Sequence, residues 1–386
     1  MSIVRGLDGV YVAETRISYV DGEKGRLWYR GYAVDELARK ATFEEVAYLL
    51  IHGKLPNREE LEEFRSRLIA ARRIPEHVIE VAEKLPQNLH VLDKMRVLVT
   101  LLYGWYGDGK PRMLTSKQVD AKPVIEAGTG LVGAAPRLLG IIAALEEGRE
   151  LPSEKFELDS HAAYTLYALT GREPSLPERD AFNTLLILYA DHELPASTFA
   201  AMVAASTLTD IYSAIDAALA TLKGPLHGGA LEEVAKMLLE IGDPENAEKY
   251  VENVLSSGKR LMGFGHRVYK TYDPRSLILK KVASIIANAV GGEARRLYET
   301  AVAVENAALK RLARKNIYPN VDFWASVLLY ALGIKPRYYT GVFAVARIVG
   351  WVAHVAEYVA RNRLIRPRAL YTGPLNLPYL PLEARQ

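Results

Sequence analysis

The chain is predicted to be all-α, a larger helical body with a smaller helical domain set into it, and three features of the sequence predict this. From Pro123 onward apolar residues recur at helical spacing, segment after segment, with only short breaks. Helix-start chemistry is frequent: Thr42-Phe-Glu-Glu45 is a capping-box pattern, Asn57 stands before a second helix, and Asp273-Pro274 reads as an N-cap followed by a first helical residue. Strand signals are confined to residues 15–31, two short β-prone runs around DGEKG that suggest a small N-terminal β-hairpin, and nothing alternates as a βαβ chain does.

Beyond the hairpin, the helix opened by Thr42 covers 46–51 and is closed by Gly53 and Pro56, and the one capped by Asn57 extends to about residue 73. Residues 93–103 are apolar at helical spacing, whereas 104–122 are punctuated by Gly and Pro and are expected to be a loop. Helices are expected over 123–147, 160–170 and 177–192. Residues 197–222 are apolar on nearly every face, so one long helix through the centre is expected there, stopped by Gly224 and Pro225. Amphipathic, charge-rich helices follow over 228–241, 244–256, 274–289 and 293–314. Apolar helices return over 321–332 and 338–360, and the tail 361–386, rich in Pro and Arg, has no helical period. The expected division is a large domain built from 1–223 and 327–386, with a smaller one, 224–326, inserted in it and a ligand cleft between them.

A chain of 386 residues is long enough for a large core in two structural domains. With 49 Lys+Arg against 46 Asp+Glu, the formal charge of +3 points to no nucleic-acid or membrane partner. Cysteine is absent, which excludes a thiolate nucleophile and a sulfur-ligated zinc, so acid/base chemistry falls to His, Asp, Glu and Tyr. The N-terminus lacks a secretory apolar run and carries Asp8 and Glu14, which an organellar presequence avoids, so a cytoplasmic location is expected. Asp210 and Asp216 interrupt the apolar segment 197–222, and Arg347, His354 and Glu357 interrupt 341–360, marking both as buried helices rather than membrane spans. The lack of cysteine, the scarcity of Gln (87, 118 and 386) and the many charged helix faces would suit a thermophile.

Three motifs mislead. Gly128-Thr-Gly-Leu-Val-Gly133 matches GxGxxG, but no βαβ unit surrounds it and close helix packing explains it better than a dinucleotide. The span 104–110 has GxxxxGK spacing, but Pro111 stands where a P-loop needs Ser or Thr. In Asp191-His192-Glu193 an HExxH zinc motif fails because Ala196 replaces the second His, and no metal is expected.

The stretch 259–275, KRLMGFGHRVYKTYDPR, is where chemistry concentrates. Gly263 and Gly265 allow a tight loop that presents His266 to a cleft, and Arg275 falls in a first helical turn beside free backbone N–H groups, a seat for a carboxylate. His227, in Gly-Pro-Leu-His227-Gly-Gly just before a helix, sits where the helix dipole favours a neutral imidazole able to donate to a carbonyl. Asp322, in Asn320-Val-Asp322-Phe-Trp, is either a helix-stabilising acid or a carboxylate base facing a ligand. Arg347 and His354 lie seven apart on one helix face, and a buried Arg needs an anion, either a structural Glu or a substrate. His192 taken alone reads as a satisfied core histidine, as do His52, His77, His90 and His161. In combination, three His or Asp sites at turns and helix starts, with Arg275, Arg347 and Arg366 as carboxylate clamps, suit a small dianionic substrate undergoing proton transfer.

The segments GEKGRLWYRGY, ADHELPASTFAA, LKGPLHGGA, MGFGHRVYKTYDPR, NVDFWAS and VFAVARIVGWVAH resemble those of the citrate synthase family, in its order and over essentially the whole chain. The resemblance implies an almost wholly α-helical homodimer whose small domain closes over oxaloacetate and acetyl-CoA, with no permanently bound cofactor. It implies that His227 hydrogen-bonds the thioester carbonyl, that Asp322 removes a methyl proton, and that His266 polarises and protonates the ketone of oxaloacetate. By the same likeness Arg275, Arg347 and Arg366 hold the substrate carboxylates, Arg366 coming from the neighbouring subunit, and His192 contacts oxaloacetate. The Met262-Gly263-Phe264-Gly265 backbone resembles the turn that meets the CoA adenine, and Lys270 is a candidate for its phosphates. Departures are Pro195, where many relatives have Asn, and the small-residue-rich stretch 128–140. The nearest rival is a 2-methylcitrate synthase acting on propionyl-CoA, because one added methyl alters pocket shape and not catalytic residues; the other is a catalytically silent CoA-binding protein.

Overall fold

The computed structural model describes residues 3–7, 9–115, 118–154 and 157–385; Asp8 and Gln386 lie outside them. β1 (Ser18–Asp21) and β2 (Arg26–Tyr29) form the expected hairpin, Ser18 opposite Tyr29 and Asp21 opposite Arg26, and β3 (Tyr32–Ala33) adds a short third strand. Helices then follow: α1 (Val34–Lys40), α2 (Phe43–His52), α3 (Arg58–Ala70), α4 (Glu76–Lys84) and α5 (Val91–Leu101). The capping boxes at Thr42 and Asn57 are both made, and Gly53 closes α2 at φ 84°.

The expected loop at 104–122 holds a second hairpin, β4 (Arg112–Thr115) and β5 (Gln118–Asp120). Its strands are largely exposed on both faces, so no apolar/polar alternation marked them in the sequence. After it come α6 (Lys122–Glu147), α7 (His161–Thr170) and α8 (Leu176–Tyr189). The single long helix expected over 197–222 is two, α9 (Ala196–Ala205) and α10 (Ile211–Leu222), packed against each other. Leu208 at φ 64° turns the chain, and Asp210 restarts it by accepting the Ser213 N–H at 2.9 Å. Apolarity on every face records burial, and it hid the break.

The chain continues as α11 (Ala230–Ile241), α12 (Ala247–Ser256), α13 (Pro274–Val290), α14 (Gly292–Leu312), α15 (Val321–Ala331) and α16 (Tyr339–Val359). Helices α11 to α15 pack chiefly on one another, with α13 also reaching α1 and α8. The centre of the molecule is the pair α6 and α16, each apolar and long enough to cross a membrane but 94% and 89% buried respectively over the apolar window. The GxGxxG glycines serve that packing: a Cβ at Gly128 would lie 2.5 Å from Val352 Cγ1, and one at Gly133 2.5 Å from the Leu68 carbonyl oxygen. Residues 361–385 form an exposed tail with one short turn at its end.

Candidate active site

Asp322 is placed by two side chains that cap the start of α15. Asn320 accepts its N–H at 3.0 Å, and the Asp273 carboxylate accepts the preceding N–H, of Val321, at 3.2 Å. The Asp322 carboxyl then receives the phenol of Tyr189, O to O 2.8 Å, from the last turn of α8. Burial pushes its pKa up to about 6, against the Tyr189 hydrogen bond and the positive charge of Arg275, which favour the ionised form.

Arg347, in the middle of α16, is 1% exposed. Its Nε donates to the Tyr189 carbonyl at 2.6 Å, and its guanidinium lies 4.8 Å from the Phe343 ring centre. No carboxylate stands within ion-pair distance among the described residues, so the structural Glu held open as its partner is absent. Burial lowers its pKa, with Asp191 pulling the other way from beyond contact. A buried cation left in this state is a site for an anion.

The loop carrying His266 is stitched to the approach to α15. Gly265 N–H donates to the Tyr318 carbonyl at 2.9 Å, the Gly263 carbonyl accepts from Asn320 N–H at 2.9 Å, and the Asn320 amide donates to the Gly265 carbonyl at 3.1 Å. Both glycines are left-handed, φ 76° and 87°, and a Cβ at Gly263 would meet Phe323 at 2.9 Å, so the expected tight turn is formed. His266 Nδ1 accepts the backbone N–H groups of Val268 and Tyr269 at 3.0 and 3.1 Å. That fixes the ring proton on Nε2, free to donate. Burial and then Arg275 depress its pKa to about 4, so the ring is neutral near pH 7. His192 lies edge-on to it, ring centres 5.2 Å apart, and its Nε2 meets the Tyr269 hydroxyl at 3.1 Å. Burial, followed by Arg275, pushes the His192 pKa well down.

Arg275 differs from expectation. The seat at the start of α13 is taken by the N-cap itself: Asp273 accepts the Arg275 backbone N–H and Nε, both at 3.0 Å, and Nη2 at 2.8 Å. Burial works to lower the Arg275 pKa, but this two-pronged partner holds it raised. Among the described residues only Nη1 is left without a protein acceptor.

His227 lies in the turn before α11 with Nε2 2.8 Å from Ser197 Oγ, which in turn accepts the Trp351 indole N–H at 3.2 Å. Ser197 can therefore donate to Nε2 and leave the imidazole proton on Nδ1. Burial, with Arg347, lowers the His227 pKa to about 4. Its ring centre is 6.0 Å from that of Phe343, which is also 4.4 Å from that of Tyr189.

Beneath this surface Asp191, fully buried, accepts the Ser18 hydroxyl and lies 3.1 Å from His354 Nε2, while Glu193 accepts the Val20 N–H at 2.6 Å. The N-terminal hairpin is thereby locked under His192. Among the described residues no cluster of three metal-ligating side chains occurs. His161 stacks on Phe43 but, against the expectation of a satisfied core histidine, its buried Nε2 has no hydrogen-bond partner among the described residues; His52 packs at a tilt on Tyr48, and His90 caps α5.

The structure thus brings together His192, His227, His266, Arg275, Asp322 and Arg347. Met262 and Phe264 are half-buried in the loop beside them, and Lys270 is exposed with its N–H on the Gly22 carbonyl at 2.9 Å. Arg366 does not join them: it lies in the exposed tail of the chain. Sequence reasoning missed Tyr189, Ser197, Tyr269 and Trp351. Ser197 offered one signal, a hydroxyl in a first helical turn directly after HELPA; Tyr189, in the apolar run LLILY, offered none. The site joins a carboxyl titrating near neutrality to neutral imidazole donors and two guanidinium groups, which suits removing a carbon-bound proton beside a dianion.

The family model for citrate synthase, C-terminal domain, matches residues 6–368. A citrate synthase of Saccharolobus solfataricus is 40% identical over 394 aligned residues, covering 100% of both chains. A solved ternary complex of Thermoplasma acidophilum citrate synthase with carboxymethyl coenzyme A and oxaloacetate is a structural relative at TM-score 0.90 and 38% identity, covering 100% of both chains. A Bacillus subtilis protein named citrate/2-methylcitrate synthase is 38% identical, covering 96% of each chain.

Proposed function

Because this chain belongs to the citrate synthase family, enzymes of the condensing transferase type, we propose that it joins acetyl-CoA to oxaloacetate and hydrolyses the citryl-CoA so formed to citrate and CoA. The observation that carries the reading is the Tyr189-held Asp322 carboxyl beside an Arg347 that has no carboxylate partner among the described residues: a base near its working pH next to a guanidinium able to seat an anion.

In this reading Asp322 removes a methyl proton from the thioester. That proton is far too weakly acidic for an isolated carboxylate at neutral pH, so the enolate oxygen must be stabilised as it forms. His227 supplies this from Nδ1, with Ser197 donating to Nε2. His266, its Nε2–H fixed by two backbone donors on Nδ1, polarises the oxaloacetate ketone and protonates it as the carbon–carbon bond forms. Arg347 and the free Nη1 of Arg275 take the carboxylates, and His192 adds a contact. Residues 224–326 act as the smaller domain, and its closure on the remainder excludes water and brings the substrates together. The Met262–Gly265 turn and Lys270 would take the adenine and phosphates of CoA.

The working unit we propose is a homodimer in which Arg366, remote from its own chain's site, completes the site of the other subunit. The competing reaction is formation of 2-methylcitrate from propionyl-CoA; a Bacillus subtilis relative is named for both citrate and 2-methylcitrate. The test is release of CoA thiol with oxaloacetate and either thioester, in wild type and in Asp322→Asn. Oxaloacetate-dependent release that favours acetyl-CoA and collapses in the variant supports the proposal. A propionyl preference would move the assignment to 2-methylcitrate, and no release with either would leave a binding protein.

A further inference from the structure

We propose that Tyr189 is the positioning residue of the proton-abstraction step, its phenol orienting the Asp322 carboxylate while its own carbonyl holds the Arg347 guanidinium. The proposal rests on the reading of Asp322 as the base. Tyr189 is fully buried at the end of α8, with its ring tilted on Phe343 at 4.4 Å. A buried phenol needs a partner for its proton, and this one has taken a carboxylate 133 residues away in sequence. Burial, reinforced by Asp322, drives the Tyr189 pKa well above its ordinary value, so the phenol stays protonated and can only donate here.

Two consequences follow for Asp322. The phenol pins Oδ1 at 2.8 Å, and the Asn320 cap fixes the backbone at 3.0 Å. Rotation of the carboxylate is thereby restricted, while Oδ2, which carries no protein hydrogen bond among the described residues, is left for a substrate C–H bond. The donated hydrogen bond also favours the ionised form, offsetting part of what burial costs. The proton passes from the substrate methyl to Asp322, and Tyr189 keeps its own throughout. On its other side Tyr189 accepts from Arg347 Nε at 2.6 Å, so the base and a carboxylate clamp are registered to each other through one residue. The remaining charges that Asp322 feels are Arg275 and Asp273 at the start of α13 and Arg347 on α16, all untouched by a change at Tyr189.

Tyr189→Phe keeps the ring and deletes only the donor. The experiment is the pH dependence of kcat for CoA release from oxaloacetate and acetyl-CoA, with the oxaloacetate KM and the melting temperature measured alongside. The acid limb of kcat should lie about one pH unit higher in the variant than in the wild type. On the plateau kcat should fall by roughly tenfold, while the oxaloacetate KM changes less than about threefold, because Arg347 bonds to a backbone atom that the variant retains. A merely structural role would lower the melting temperature and leave the acid limb in place, and that result overturns the proposal. An unchanged acid limb and plateau, with the wild type active and Asp322→Asn inactive, overturns it too while sparing the assignment of the base. An active Asp322→Asn variant removes that assignment, and the proposal falls with it.

Discussion

Asp322→Asn should abolish turnover and, at neutral pH, make the protein more stable. The Asp322 pKa is raised from 3.8 to about 6 by burial, so the native state binds a proton more tightly than the unfolded chain does. Between those values the native form holds the extra proton, and stability therefore falls as pH rises, the penalty becoming complete above about pH 6. Integrated from the two pKa values, ionising this carboxyl costs about 1–2 kcal/mol at pH 5 and about 3 kcal/mol at pH 8. Asparagine does not titrate, is nearly isosteric and still offers an oxygen to the Tyr189 phenol, although its amide must find a place in the cleft, which trims the gain. The variant should thus be about 1–3 kcal/mol more stable at pH 8, with an advantage smaller by about 1 kcal/mol at pH 5. Denaturant unfolding of both proteins at the two pH values, at equal protein concentration, measures this. An Asn variant less stable than wild type at pH 8, or one whose advantage is the same at both, would refute the argument that a buried, destabilised carboxylate is held ready for catalysis.

Three further outcomes are expected from the same geometry. Ser197→Ala removes the partner of His227 Nε2 and orphans the Trp351 indole, so kcat should drop by about 10–100-fold with the oxaloacetate KM little changed in steady-state assays. Arg347→Met deletes a buried cation that no carboxylate among the described residues neutralises, so the unliganded protein should lose little stability or gain some. Oxaloacetate, which should raise the melting temperature of the wild type, should no longer do so in the variant, as thermal shift with and without ligand would show. Arg366→Ala and Asp322→Asn should each be inactive alone, and mixing them under conditions that exchange subunits should restore activity, since one site of the mixed dimer has every residue intact. Failure to complement despite proven exchange would place Arg366 outside the shared site.

What the sequence disclosed depended on the range over which each feature is determined. Caps are local, so Thr42, Asn57 and Asp273 announced their helix starts, and the glycines about His266 announced a tight loop. The β4–β5 hairpin escaped because both its faces are largely exposed, and the break at Leu208 because a segment apolar on all sides has no face whose period could slip there. The seat expected at Arg275 for a ligand carboxylate is largely filled by the side chain of Asp273, two residues upstream.

Tyr189 marks the limit of such reading. Its contribution comes from a hydrogen bond to a helix 133 residues later and from a backbone carbonyl turned toward another helix, and neither leaves a trace in composition or spacing. The same holds for the contrast between the two buried arginines. Arg275 and Arg347 look alike in the sequence, each able to clamp an anion, yet one is neutralised by Asp273 and the other, among the described residues, by no carboxylate within reach. That asymmetry concentrates the unmet positive charge at Arg347, the guanidinium held by the same residue that holds the base. A dianion seated there would relieve the cost of burying Arg347, but it would also cancel positive charge that favours the ionised form of Asp322, so the Tyr189 donor matters more to the base once oxaloacetate is bound.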